Sequence, residues 1–71
     1  MKQILDLELL RTFVMVARTG ELKKAALKVY RSQGAVSMQI KKLEELTGNC
    51  LLERSNRGIR LTEAGQTLLS Y

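Results

Sequence analysis

Apolar residues recur along this chain at intervals of three and four, broken once by a short stretch of a different pattern. Leu7, Leu10, Phe13 or Val14, and Ala17 share one face of a helix. The spacing predicts a first helix from about Leu7 to Arg18, N-capped by Asp6, with Glu8 where the helix dipole favours an acid. Arg18 at its end and Gly20 just beyond are stop features. Leu22, Ala25, Ala26 and Val29 form the inner face of a second, shorter helix over residues 21–30, with Lys23, Lys24 and Lys28 outside. The paired alanines allow a neighbouring helix to approach closely.

The third segment, Ser32 to Thr47, organises the rest. Ser32 is its natural N-cap and Gly48 its stop. Val36, Ile40 and Leu43 form one stripe. At roughly 100° per residue, Gly34, Met38 and Lys41 turn to the opposite side, with Ser37 and Lys42 further round and Gln33 at the leading end. One face is therefore greasy; the other carries small residues, amides, hydroxyls and lysines, with no acid before Glu44. Two short helices joined by a tight connection, the second amphipathic, describe a helix-turn-helix. The usual turn glycine is missing, and Tyr30-Arg31 stands in its place.

The pattern then changes. Leu51 to Arg54 and Gly58 to Leu61 read as two strands around the turn-forming Ser55-Asn56-Arg57-Gly58, which makes a hairpin or wing. Thr62 caps a fourth helix, with Glu63 in its first turn and Leu68 and Leu69 as apolar positions. The chain stops mid-pattern at Tyr71. Either the sequence is a piece of a longer protein or this helix pairs with another subunit; folding back onto the core is compatible with both. The fold class predicted is mainly α with a small β-hairpin.

Composition narrows the function. With 71 residues there is room for one domain, and its 45% hydrophobic and 4% aromatic content predicts an aliphatic core. The net charge of +5 points to a polyanionic partner. Arg54, Arg57 and Arg60 crowd the hairpin, which needs none of them to fold, so backbone or minor-groove contact is favoured over plain surface charge. Lys24 divides evenly between a solvated face and a phosphate contact. There is no histidine, which excludes histidine catalysis and histidine-ligated metal. No paired acids suggest a catalytic cleft, so no enzyme, metal site or cofactor is expected. Cys50 is alone, which fits a reducing cytoplasm, and is expected as a small buried residue. No apolar run approaches a membrane span, and the N-terminus has no signal-peptide layout.

Four segments together resemble the N-terminal DNA-binding domain of LysR-type transcriptional regulators. They are Leu9-Leu10-Arg11-Thr12-Phe13-Val14 with Val16-Ala17; Gly20 with Ala25-Ala26; Ser32-Gln33-Gly34-Ala35-Val36-Ser37 with Gln39-Ile40, Leu43-Glu44 and Gly48; and Leu51-Leu52-Glu53-Arg54 with Leu61-Thr62-Glu63-Ala64-Gly65. The resemblance implies a winged helix-turn-helix over residues 1–61 (helix-turn-helix about 22–41, wing about 51–61) and the start of a dimerising linker helix over 62–71. It implies a bacterial, cytoplasmic, nucleoid-associated regulator that binds double-stranded DNA as a homo-oligomer. A small-molecule effector is expected on a separate C-terminal domain, with RNA polymerase as a candidate partner.

By position, Gln33, Gly34, Ala35, Ser37 and Met38 fall where the family reads the major groove, and Arg57 where the wing reaches the minor groove. Lys24, Arg31, Ser32, Lys41, Lys42, Arg54 and Arg60 complete the expected phosphate or minor-groove set, and Leu68 and Leu69 the dimerisation set. Gly34 stands where the family often has proline, Met38 where it often has arginine, and Arg31 where it is often aliphatic. Methionine cannot make arginine's bidentate bond to guanine, but it can meet a thymine methyl. The competing readings are a protein-interaction module on the same scaffold and a winged-helix repressor of another family; the Thr62-Glu63-Ala64-Gly65 segment argues against the latter.

Overall fold

A computed structural model describes residues 7–70 of the chain. Its elements run α1 (Leu7–Thr19), α2 (Leu22–Lys28), α3 (Gln33–Thr47), β1 (Leu52–Ser55), β2 (Gly58–Leu61) and α4 (Glu63–Leu69). The expected Asp6 cap lies outside the described residues.

The first three helices pack on one another around Leu9, Phe13 and Val16 of α1, Ala25 and Ala26 of α2, and Val36, Ile40 and Leu43 of α3; Leu51, just before β1, completes the core. Full burial of one such large side chain contributes roughly 1.5–3 kcal/mol. The expected α1 face is corrected. Leu7 is 81% exposed, and the buried stripe is Leu9, Thr12, Phe13 and Val16. Both phases of this leucine-rich helix look apolar. The true one contains a threonine, which hid it.

The turn between α2 and α3 shows how the chain manages without glycine. Helix α2 ends at Lys28, two residues earlier than expected. Tyr30 adopts a left-handed conformation with φ 59°. Arg31 N–H donates to Ala26 O (2.9 Å) and Tyr30 N–H to Leu27 O (3.4 Å), the double closure of a Schellman motif. Ser32 then caps α3, its hydroxyl accepting from Ala35 N–H, and Gly48 ends α3 with φ 74°.

Strands β1 and β2 pair antiparallel, with Leu52 opposite Leu61 and Ser55 opposite Gly58. The first strand begins one residue later than expected, because Leu51 turns into the core. Cys50 is exposed, correcting the expectation that it is buried; its neighbour Leu51, 1% exposed, takes the interior position. The hairpin is held to the helical body by Ile59 N–H donating to Gly20 O (3.0 Å). At its start, Leu51 and Leu52 N–H both donate to Glu44 Oε2, at 2.8 and 3.3 Å. Helix α4 follows Thr62, whose hydroxyl accepts from Gly65 N–H (3.1 Å) and donates to Cys50 O (2.6 Å). Ala64 and Leu68 pack against the core, whereas Leu69 is 39% exposed.

Candidate nucleic-acid interface

Burial of Val36, Ile40 and Leu43 turns the other side of α3 outward. Gln33, Gly34, Met38, Lys41 and Lys42 are all exposed, and Met38 is 69% so. Ala35 and Ser37 are half-buried on the flanks. A side chain at Gly34 would meet nothing nearer than Ser32 Oγ at 4.0 Å, so this end of α3 presents open backbone. Glu45 also lies on the exposed surface, one turn beyond Lys41, and places an acid on that face past the two lysines.

Polar braces hold α3 on both flanks. On the α1 side, the Thr12 hydroxyl donates to Gln39 Oε1 (2.6 Å), and Gln39 Nε2 donates to Glu8 Oε2 (3.3 Å). The same carboxylate oxygen is ion-paired with the Arg31 guanidinium. On the wing side, Arg54 Nη2 donates to Ser37 Oγ (3.1 Å). Beyond them, the Glu44 carboxylate fixes the start of β1.

The hairpin does not bring its three arginines to one face. Arg54 lies opposite Ile59, and Arg60 opposite Glu53. Opposed residues share a face and successive residues alternate, so Arg54 sides with Ile59, which packs against the core. This is why Arg54 reaches Ser37. Arg60 sits on the other face beside an acid. Arg57 occupies the turn, where its N–H donates to Ser55 Oγ (3.2 Å) and its side chain is exposed. Lys24 is on the surface with Glu21 at 3.5 Å, an exposed pair that constrains it little.

The expected site residues thus divide. Gly34, Met38, Lys41 and Lys42 share one open helix surface, Gln33 is exposed at its leading end beside the Ser32 cap, and Arg57 stands on the adjoining wing. Arg31, Ser37 and Arg54 are engaged within the protein. Leu68 is turned toward the core and Leu69 away from it. Sequence reasoning did not single out Thr12, Gln39, Glu8 or Glu44 for what they do here. A threonine on an otherwise apolar helix face and a glutamine beside an apolar stripe were the available signals. Among the described residues no group of three or more His, Cys, Asp or Glu side chains could hold a metal. No described helix is long and apolar enough to cross a membrane.

A helix-turn-helix whose second helix offers an open polar face, followed by a basic hairpin, defines a winged helix-turn-helix domain. Residues 7–66 match the profile of the bacterial regulatory helix-turn-helix proteins of the lysR family. The chain belongs to that family. Among its relatives, the HTH-type transcriptional activator AllS of Klebsiella pneumoniae is 48% identical over 67 residues, covering 94% of this chain and 25% of that protein. The HTH-type transcriptional regulator DgdR of Burkholderia cepacia is 43% identical, with 94% and 23% covered. The chain therefore spans about a quarter of the length of these curated relatives.

Solved DNA complexes share the fold. The CbnR DNA-binding domain bound to DNA superposes with a TM-score of 0.88 at 39% identity, covering 93% of this chain and 76% of that one. The BenM DNA-binding domain on its catB site 1 DNA gives 0.89 at 39% identity, covering 94% and 75%.

Proposed function

We propose that this domain docks α3 into the major groove of double-stranded DNA and lays its wing along the adjoining backbone and minor groove. One observation carries the reading: the apolar stripe of α3 is sealed into the core while Met38, Lys41 and Lys42 stand clear on the other side and Gln33 is exposed at the leading end. A major groove admits one helix and presents hydrogen-bonding base edges. Gln33, at the leading end, is the best placed for a bidentate bond to adenine, and Met38 suits a thymine methyl. Ser32, Lys41, Lys42 and Arg54 suit phosphates, which set register without reading sequence. Arg57 is the wing residue for the minor groove. Arg31 joins the phosphate contacts only by leaving Glu8. The solved complexes of CbnR and BenM with DNA support DNA as the partner.

The whole protein is read as a sequence-specific regulator of bacterial transcription rather than an enzyme. It would dimerise through a longer α4, with Leu69 and the continuation of that helix at the contact. A small-molecule effector would bind a domain beyond this chain, and RNA polymerase is its candidate partner at a promoter. Salt titration of duplex affinity tests the DNA reading. Several phosphate contacts give a steep log-linear fall in affinity with rising salt. A flat response would indicate a protein-binding surface instead.

A further inference from the structure

The apolar stripe of α3 does not by itself fix how far the helix is rolled about its axis. Val36, Ile40 and Leu43 are close-packed and resist a large roll, but their contacts carry no directional bond. Base reading is far less tolerant, because a hydrogen bond weakens steeply with misalignment. Something directional must set the roll. Ser37 and Gln39 lie about 160° apart around the axis, at roughly 100° per residue, and each is tied to a different neighbouring element. Ser37 is held by Arg54 of β1 at 3.1 Å, and Gln39 by Thr12 of α1 at 2.6 Å.

The α1 brace is the better defined. Thr12 is 1% exposed, so its hydroxyl has been taken out of water, and Gln39 Oε1 satisfies it. No buried side-chain polar atom lacks a partner among the described residues. Because Oε1 accepts from Thr12, the amide nitrogen must face the other way, where it donates to Glu8 Oε2 at 3.3 Å. That oxygen also holds Arg31, the residue just before the Ser32 cap. The network therefore grips α3 near its middle and its entry turn near the start, both from α1.

We infer that Gln39 is a positioning residue for sequence recognition: clamped between the buried Thr12 hydroxyl and the Glu8–Arg31 pair, it sets the roll of α3 and so the aim of Gln33 and Met38, without itself reading a base. The inference rests on α3 being the DNA-reading helix. It gives Thr12, a core residue with no access to DNA, control over base discrimination.

Thr12→Val supplies the test, because the change is nearly isosteric and its site cannot touch a duplex. The intact protein selects its preferred duplex from a randomised pool. Affinities are then measured for that duplex and for a shuffled one of the same composition, across a salt series, with thermal unfolding in parallel. The expected result is a loss of discrimination of about tenfold, comparable to one mismatched base pair. The salt slope should stay unchanged, and Thr12→Ser, which restores a hydroxyl, should recover most of the loss. Thr12→Val/Gln39→Leu, which removes both partners and leaves neither unsatisfied, should discriminate as poorly as Thr12→Val while unfolding at a temperature closer to wild type. Unchanged discrimination in the double variant, or a reduced salt slope in either, overturns the inference while leaving DNA binding intact. Failure of the unaltered protein to bind any duplex would instead remove the functional reading beneath it.

Discussion

Replacing Gly65 with alanine should destabilise this domain, although Gly65 lies inside a helix, where alanine is the better residue by about 1 kcal/mol. The reason is the contact beneath it. A Cβ on Gly65 would stand 2.2 Å from Leu51 O, 3.1 Å from Leu51 C and 3.2 Å from Leu61 Cδ2. The carbonyl cannot retreat. Leu51 is 1% exposed, its N–H is held by Glu44 at 2.8 Å, and its oxygen accepts from Thr62 N–H at 3.0 Å. Helix α4 must therefore move outward by about 1 Å, loosening the Thr62 cap and the packing of Leu68. Overpacking costs about 1–3 kcal/mol and a weakened cap about 1 kcal/mol, offset by about 1 kcal/mol of helix propensity. The expected net loss is about 1–3 kcal/mol. A domain of this size has roughly 4–10 kcal/mol in all, and each kcal/mol shifts Tm by roughly 4–8 °C. Thermal and urea denaturation followed by far-ultraviolet circular dichroism would read this as a Tm lower by at least about 4 °C. Gly34→Ala is the control of opposite sign. Its Cβ would meet only Ser32 Oγ, at 4.0 Å, so helix propensity should act alone and leave Tm equal or higher. If Gly65→Ala raised Tm as Gly34→Ala does, the close approach of α4 to Leu51 would be refuted.

Tyr30→Gly should stabilise the turn by about 0.5–1 kcal/mol, since left-handed φ costs a non-glycine residue about 1–2 kcal/mol and Tyr30, 92% exposed, has little packing to lose; a lower denaturation midpoint would contradict this. Glu44→Ala leaves the N–H groups of Leu51 and Leu52 without their acceptor and should cost about 1.5–3 kcal/mol, readable in urea, with no loss counting against the bracing role of this carboxylate. Glu8→Gln removes the charge that holds Arg31, so affinity for a shuffled duplex should rise and the salt slope steepen by about one unit; unaltered non-specific binding would show that Arg31 never reaches a phosphate. Gln33→Ala should relax preference at one base pair by about 1–3 kcal/mol, and an unchanged ranking of site variants would reject Gln33 as a reader.

Most of the architecture is written in local signals. Ser32 and Thr62 cap α3 and α4 as their hydroxyls predict, Gly48 stops α3, and the turn formers after Arg54 make the hairpin. These features depend on a few neighbouring residues and can be read one at a time. What the sequence conceals depends on a residue far along the chain. The phase of α1 turned on whether Thr12 could be buried, and that required Gln39, 27 positions away. Arg31 looked like a free cation because Glu8 lies 23 positions earlier. The three wing arginines looked like one cluster because sequence distance ignores the alternation of strand faces, which assigns Arg54 to α3 and Arg60 to Glu53. Cys50 and Leu51 are both apolar neighbours, and only the path of the chain into β1 decides which is interior.

The residues that hold α3 and those that meet solvent on it form nearly separate sets, and this separation bears on how specificity can change. Gln39, Ser37 and Glu44 each bond to another element, so their replacement disturbs the position of the helix. Gln33 and Met38 are exposed and have no such bonds to other elements among those described, so exchanges there should cost the fold no more than about 0.5 kcal/mol. Met38 illustrates the freedom. Arginine at this position would offer two donors to guanine, whereas methionine offers a flexible apolar end to a thymine methyl. Either can stand on the same helix because nothing inside the protein depends on the choice. The hairpin extends the argument to the wing. Its attachments at Gly20, Glu44 and Leu51 fix the wing to the same body that carries α3. Gly58 belongs to this junction, since its φ is +115° and a Cβ there would lie 2.9 Å from Gly20 O. In the proposed docking, with α3 and the wing fixed to one frame, the fold would set the spacing between a contact at Gln33 and one at Arg57, while side chains the fold does not use would set the bases preferred.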